Sequence, residues 1–325
     1  MQMLTYSVAI RTLGLGGDIF RRELEEIAAQ TVQPDRVLVY IAEGAPLPEY
    51  RIGKEEYVWV GRGMMSQRLR RYDEIGSDCI LMLDDDVSLQ PDSVAAMLTA
   101  LAENDADCVG ADTFGMHERP LAAKIYAALT NFVFPHCDDR WAFKIRRNGS
   151  FSYNRSPKAG FLLSQSCAGN AMLWRKSTYD KLRFEDELWL DEFAFAYGDD
   201  MLESYKVHKN GFRLGVVYDS GIVHLDARSA SGGFRKSPEW IYTRTKVGFL
   251  IWWRSCYRTG GNTACERFAA AFSFFCKSAW QLLGITAVSL SGFSFGMVVS
   301  YLKGLRDGRR YARLDGFGNS GPYII

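Results

Sequence analysis

The 325-residue sequence predicts an α/β protein built on a mostly parallel sheet, on three observations. Short apolar runs alternate with helical patterns through the first hundred residues, the order that buries a parallel sheet under crossover helices. Hydrophobic residues make up 47% and charged residues 24% of the chain, ordinary for a globular protein of one large or two modest domains. Three of the strand-like runs end on polar residues, Arg11-Thr12, Glu43 and Asp84 to Asp86, and parallel sheets bind ligands at the carboxyl ends of their strands.

The elements follow in order. "YSVAIRT" reads as a strand, "GDIFRRELEEIAAQ" as an amphipathic helix and "DRVLVYIAEG" as a second strand. "YVWVGR" reads as a short third strand, "MMSQRLRRYDEIG" as a helix, and "DCILML" as a strand running into the aspartates. "QPDSVAAMLTALAEN" reads as a helix with Pro91 near its first turn. Beyond residue 111, "KIYAALTNFVF" has a helical pattern, and "CDDRWAFKIRRNGSFSYNRSP" suggests turns and an antiparallel hairpin. "SCAGNAMLWRKSTYDKL" then gives a small-residue loop, a short strand and a helix start. A helix from Asp199 to Lys209, stopped by Asn210-Gly211, precedes the strand "RLGVVYD" and a loop carrying His224.

Bulk charge excludes some classes. The net charge of +1 argues against a nucleic-acid binder. It hides an asymmetry, however: residues 235 to 314 hold 13 Lys/Arg and 3 Asp/Glu, a balance of +10 that leaves −9 on the rest. A basic, Trp-rich end on an acidic body suggests contact with an anionic membrane surface. The seven cysteines form no CxxC pair, as expected of reduced thiols in the cytosol. No signal peptide precedes the first strand-like run, and the four histidines show no zinc-ligand spacing.

Three adjacent aspartates, Asp84, Asp85 and Asp86, disfavour one another's ionised forms. A divalent cation bridging carboxylates to a diphosphate offsets that cost, and hard cations select oxygen ligands. The triplet by itself fits a solvated acidic turn equally well. A second acidic pair, Asp199 and Asp200 in "YGDDMLESY", stands at a predicted helix start. There the helix dipole keeps a carboxylate ionised and its pKa low. Such a carboxylate can act as a base toward an acceptor hydroxyl or can cap the helix. Cys167 has no activating partner nearby in sequence and "PHCDDR" reads as a solvated turn, while "LGLGGD" lacks the Lys of a P-loop.

Together, the "AIRT" strand, "IAEG", "RGMMSQRLRRYDEIGSDCILMLDDD" and "AYGDDMLESYKVHKNGF" resemble an inverting GT-A fold glycosyltransferase of family 2, over about residues 5 to 230. That group builds bacterial surface polysaccharides, and the tail "YLKGLRDGRR" resembles rhamnosyltransferase-like members. The resemblance implies Arg11, Thr12 and Glu43 in the nucleoside pocket, with Arg68 near the base or diphosphate. It implies a DXD motif whose ends, Asp84 and Asp86, serve the metal, with Asp86 the direct ligand, Asp84 and Asp85 also at the donor, and His224 an additional metal or phosphate ligand. Asp200 would be the general base, with Asp199 in place of the usual glutamate. The family's usual arginine beyond this pair is absent, with Tyr205 and Lys206 in its region.

On this reading residues 1–110 are the nucleotide-sugar-binding half and 111–234 the acceptor-binding, catalytic half, with 235–325 a basic, aromatic-rich helical extension. The expected cofactors are Mg²⁺ or Mn²⁺ and a UDP-, dTDP- or GDP-sugar. The expected acceptor is a glycan or lipid-linked molecule, met at the inner face of the cell membrane by a cytoplasmic, peripheral enzyme. Residues 278–301 are 24 positions without a charge, long enough to span, yet 10 of them are Ser, Thr, Gln or Gly. Peripheral amphipathic helices, a true span and helices packed on the body all stay open. Two rival functions also remain: a nucleotidyltransferase releasing pyrophosphate, and a membrane-docked binding protein with a degenerate site.

Overall fold

The computed structural model of the chain describes residues 4–113, 121, 125, 140–194, 197–225, 237–259, 262–291, 295–314 and 317. The chain runs β1 (Tyr6–Thr12), α1 (Gly17–Ala28), β2 (Val37–Ala42), β3 (Glu55–Val60), α2 (Met64–Arg68), β4 (Cys79–Asp84), β5 (Val87–Leu89), α3 (Ser93–Glu103) and β6 (Cys108–Ala111). It continues through β7 (Phe143–Ile145), β8 (Phe151–Tyr153), β9 (Gly160–Leu163), β10 (Ala171–Arg175), α4 (Lys176–Tyr179), a 3₁₀ helix (Phe184–Glu192) and α5 (Asp199–Lys209). Then come β11 (Leu214–Tyr218), β12 (Ile222–His224), α6 (Pro238–Trp252), a π turn (Trp253–Tyr257), α7 (Ala264–Ser291) and α8 (Gly296–Tyr311).

Eight strands form one sheet in the order β3-β2-β1-β4-β10-β6-β11-β9. The strands pair in parallel except where β10 meets β4 and β6 and where β9 meets β11. Period-2 alternation sorts each strand between two cores. Tyr6, Val8 and Ile10 of β1 join Leu81 and Leu83 of β4 under α1 and α3. Ala9, Ile80 and Met82 face the other way, toward Met65 of α2, Met201 and Leu202 of α5, and Val247 and Ile251 of α6. The sheet is thus the middle layer of three, and α6 is part of the second core.

Several elements depart from the sequence expectation. The helix predicted over "MMSQRLRRYDEIG" ends at Arg68. There the Tyr72 hydroxyl donates to the Arg68 carbonyl at 2.6 Å and the Tyr179 hydroxyl to that of Arg70 at 3.1 Å, so side chains take acceptors that helix N–H groups would have used. The Tyr72 ring packs instead between Tyr40 and Tyr179. His224 lies not in a loop but at the end of β12, paired antiparallel with β5. These two strands and β9 are too short to carry a pattern of their own, and the 3₁₀ helix has no amphipathic period in FEDELWLDE. The predicted hairpin is β7–β8. The helical pattern "KIYAALTNFVF" and the loop "PHCDDR" lie outside the described residues, apart from Ile125 and Arg140.

Candidate active site

The sheet register assembles the site. Arg11 is the register partner of Asp84 across the parallel pair β1 and β4. One strand further, β10 begins beside the end of β4, and Asp84 N–H donates to the Asn170 carbonyl at 3.1 Å. Past β4 the chain turns into β5, whose pairing sets His224 opposite Val87 and next to Asp86; Leu225 N–H closes the turn on the Asp86 carbonyl at 2.9 Å. Asp199 and Asp200 open α5 behind Gly198, whose φ of 84° is a left-handed conformation that a side chain would strain. Arg11, Arg68, Asp84, Thr113, Asn170, Asp199, Asp200 and His224 share one cleft of about 400 Å³, with Ala168 and Gly169 in its wall.

Two arginines bind the acidic motifs to each other. Arg11 donates from Nε to Asp84 Oδ1 at 2.6 Å, from Nη2 to Asp84 Oδ2 at 3.1 Å, and from Nη1 to Asp199 Oδ2 at 3.1 Å. Arg68, only 3% exposed, donates from Nη2 to Asp84 Oδ1 at 2.7 Å and from Nη1 to Asp199 Oδ2 at 2.9 Å. It also reaches the Gly169 carbonyl. A Cβ on Gly169 would stand 2.2 Å from Arg68 Nη1 and 2.9 Å from Asp200 Cβ, so this approach requires glycine. Arg68 is aimed by a cap from far away: Asp191 of the 3₁₀ helix accepts from the N–H groups of Met65 and Ser66, each at 2.8 Å.

The charges settle differently at each carboxylate. Burial pushes the Asp84 pKa up, but Arg11 and Arg68 outweigh it and hold the group at about 2. Asp85 is raised by burial against the pull of its hydrogen bond from Thr12 Oγ1, at 2.5 Å, with Asp86 and Asp84 adding to the rise. Burial, then the neighbouring Asp199, lifts Asp200 to about 6, although Met201 N–H donates to its Oδ1 at 2.7 Å. This reverses the expectation that the helix dipole would hold this residue low: desolvation in the cleft wall outweighs half a turn of peptide dipoles. One turn on, Glu203 is fully buried, neither of its oxygens accepts a hydrogen bond, and burial raises it to about 8.

Asp84, Asp86 and His224 offer ligand atoms that all lie within 4.8 Å of one another. Asp86 Oδ1 is buried and stands 3.0 Å from His224 Nε2, an ion pair when the imidazole is protonated. Two ligands on adjacent vertices of an octahedron with bonds of about 2.1 Å stand about 3.0 Å apart, a spacing that suits a small divalent cation and an ion pair alike. Of the other predicted residues, Thr12 and Asp85 sit just behind the cleft, bonded to each other. Glu43 is exposed at the end of β2, two strands from β4, and does not line the cleft. Cys167 is buried with its thiol donating to the Gly215 carbonyl, and burial pushes its pKa far up, so it is no nucleophile.

Residues 26–243 match the family model described as "Glycosyltransferase like family 2". The chain belongs to this family. The α/β architecture, with its mostly parallel sheet and flanking helices, is accordingly GT-A-like, extended by an apolar C-terminal helix. Among solved structures, a crystal structure of GalNAc-T7 with UDP, GalNAc and Mn²⁺ superposes with a TM-score of 0.49 at 12% identity. The match covers 90% of this chain and 59% of that one. No curated protein matches the sequence.

Asp191, Thr113, Gly169, Asn170 and Glu203 lay outside the sequence reading. Asp191 caps a helix more than a hundred residues away, Gly169 and Asn170 sit in a small-residue loop, and Thr113 and Glu203 stand in segments whose pattern marks no site. Only the glycine following a run of small residues carried any signal.

Proposed function

We propose that the protein is a metal-dependent, inverting glycosyltransferase that moves a sugar from a nucleotide-sugar donor to a glycan or lipid-linked acceptor. The observation that carries this reading is the convergence of both acidic motifs on one cleft, tied through Arg11 and Arg68, in a chain of glycosyltransferase-like family 2.

Asp86 and His224, with Asp84 beside them, would hold Mg²⁺ or Mn²⁺, which when bound neutralises charge on a departing diphosphate. Asp84 lines the donor side of the cleft with Asp85 behind it, and Arg11 and Arg68 set positive charge beside the leaving group while fixing Asp199. The acceptor hydroxyl attacks the donor's C1 as Asp200 takes its proton. The new C1–O bond forms on the face opposite the breaking C1–O(phosphate) bond, so the anomeric configuration inverts. A base lifted to about 6 is ionised at neutral pH yet keeps useful proton affinity. Asp199 acts as its neighbour: its charge helps to lift Asp200, and its own is balanced by both arginines.

The three segments keep the division of labour read from the sequence: donor binding in 1–110, acceptor and base in 111–234, and a basic extension in 235–325 that meets an anionic membrane surface at the cytoplasmic side. Surface polysaccharide is the product class that such an acceptor and location suit best.

The test is nucleoside diphosphate release from UDP-, dTDP- and GDP-sugars with Mg²⁺ or Mn²⁺, with chelator, and with Asp86→Ala. Metal-dependent release from one donor, lost in the variant, is expected. Release that survives both chelator and Asp86→Ala overturns the metal assignment, and release of pyrophosphate points to a nucleotidyltransferase.

A further inference from the structure

Helix α7 is apolar on the side that faces solvent as well as on the side that faces the body. Its exposed face carries Phe268, Phe272, Phe275 and Leu283 at helical spacing, each more than 60% accessible. Its inner face packs Ala270 and Phe274 against the body and carries polar contacts as well: Lys277 Nζ donates to the Asn148 carbonyl at 3.2 Å, and Tyr301 of α8 donates to the Ser278 carbonyl at 3.0 Å. Over Ala264–Leu290 the mean hydropathy of the best window is 1.3, yet only 6% of that window is buried. An amphipathic helix in water turns its apolar stripe inward, and a contiguous apolar surface of this size marks a contact with something other than water.

The uncharged stretch 278–301 is not one helix. It comprises the second half of α7 and the first turns of α8, which fold back on each other, so that Tyr301 lies against Ser278 and Gln281. Apolar side chains stay exposed on both legs, with Leu283, Val288 and Leu290 on α7 and Phe295, Val299 and Leu302 on α8. Below this end, Lys303, Arg306, Arg309, Arg310 and Arg313 form an exposed basic stretch of chain, and Arg267 is exposed at the far end of α7. The uncharged part of α7, from Ser278 to Ser291, rises about 20 Å, short of the ~30 Å hydrocarbon core. The first half cannot lengthen it, because the Phe274 ring is stacked 4.1 Å from Trp252 of the body and Lys277 is tied to Asn148.

We propose that the α7–α8 hairpin is a monotopic membrane anchor: its uncharged end enters one leaflet, and the basic stretch behind it meets anionic headgroups. This extends the membrane part of the function proposed above and does not depend on the glycosyl-transfer chemistry. An apolar end with a basic collar fits anionic lipid: Asp307 offsets part of the charge through Arg306, and the net positive balance that remains has no counterpart in an apolar protein partner for the aromatic face. The hairpin packs against α6, which lies in the same core as α5, so anchoring would hold the cleft at a fixed height over the bilayer.

The test is co-sedimentation of the full chain with phosphatidylcholine vesicles containing about 30% phosphatidylglycerol, compared with pure phosphatidylcholine. Leu283→Glu/Val299→Glu should lower partitioning roughly tenfold or more, and Arg306→Glu/Arg310→Glu should lower it only on the anionic vesicles. Bromine on the lipid acyl chains should quench Trp280, which stands on the exposed side of α7, with the quenched signal missing in Trp280→Phe. Circular dichroism and diphosphate release in detergent check that the variants are folded. Binding that is fully reversed by salt, unaffected by Leu283→Glu/Val299→Glu and without acyl-chain quenching overturns insertion while leaving surface contact intact. Absence of binding to either vesicle overturns the membrane contact itself, and neither result touches the donor assay.

Discussion

Replacing the proposed base should make the protein more stable. Asp200 titrates at about 6 in the fold against 3.8 for the free side chain, chiefly because the cleft wall desolvates it and Asp199 stands next to it. A carboxyl whose folded pKa is raised binds its proton more tightly in the native state. Its contribution is therefore fully favourable below about 4 and is lost as pH rises through about 6. Two pKa units at 1.36 kcal/mol each amount to about 3 kcal/mol of stability forfeited at neutral pH. Asp200→Asn removes the charge, keeps the shape and keeps an oxygen to accept from Met201 N–H. With about 2.1 cal/mol/K of unfolding entropy per residue, 325 residues give about 0.7 kcal/mol/K, so Tm should rise by about 4 °C at pH 7.5. The gain should shrink to nothing near pH 4. Scanning calorimetry of both proteins from pH 4 to 8 reads this directly, alongside a transfer assay in which the variant is inactive but still binds nucleotide. A Tm difference that is flat with pH, or a variant less stable than wild type at pH 7.5, would show that Asp200 bears no such burden. Near wild-type transfer would remove it as the base.

Three further outcomes follow from the same site. Arg68→Met strands Asp84 and Asp199 beside Arg11 alone; losing one member of a buried ion cluster costs about 3–5 kcal/mol, so Tm should fall by about 4–7 °C, and an unchanged Tm would mean that the cluster is solvated. Gly169→Ala sets a methyl 2.2 Å from Arg68 Nη1. Overpacking of this kind costs about 1–3 kcal/mol, and diphosphate release should fall at least tenfold as Arg68 and Asp200 shift; full activity would mean that the loop gives way freely. The pH profile of kcat/KM should show an acid limb near 6, set by Asp200 acting with its neighbour, and a limb that persists unmoved in Asp200→Glu would assign it to another group.

The fold was legible wherever an element was long enough to carry a period. β1, β2 and β4 and helices α1, α3 and α5 announce themselves through apolar runs and their punctuation, and their register alone brings Arg11 beside Asp84. β5 and β12 are three residues each, and no pattern distinguishes three residues from a turn; His224 was therefore placed in a loop although its position near Asp86 depends on that pairing. Arg68 was legible as a basic residue but not as the buried centre of the cluster, because its helix is capped by Asp191 and ended by Tyr72 and Tyr179, all contacts remote from it or invisible to periodicity. The uncharged stretch 278–301 left three arrangements open, because charge alone does not show that it is shared between two helices, α7 and α8, which meet where Tyr301 donates to the Ser278 carbonyl.

The three consecutive aspartates illustrate how local repulsion becomes function. β4 ends at Asp84, so each carboxylate leaves the sheet in a different direction and finds a different remedy. Asp84 points to two guanidinium groups, which hold it ionised even in acid. Asp85 turns back to Thr12, where a hydroxyl offsets part of the burial and the proton is held more tightly than usual. Asp86 faces His224 Nε2 at 3.0 Å, an ion pair when the imidazole is protonated. Arg11 and Arg68 engage Asp84 and Thr12 engages Asp85, which leaves Asp86 to the histidine. A divalent cation at Asp86 and His224 would take the place of the imidazole proton, since metal ligands bind deprotonated. Replacing Asp86 should therefore abolish metal dependence.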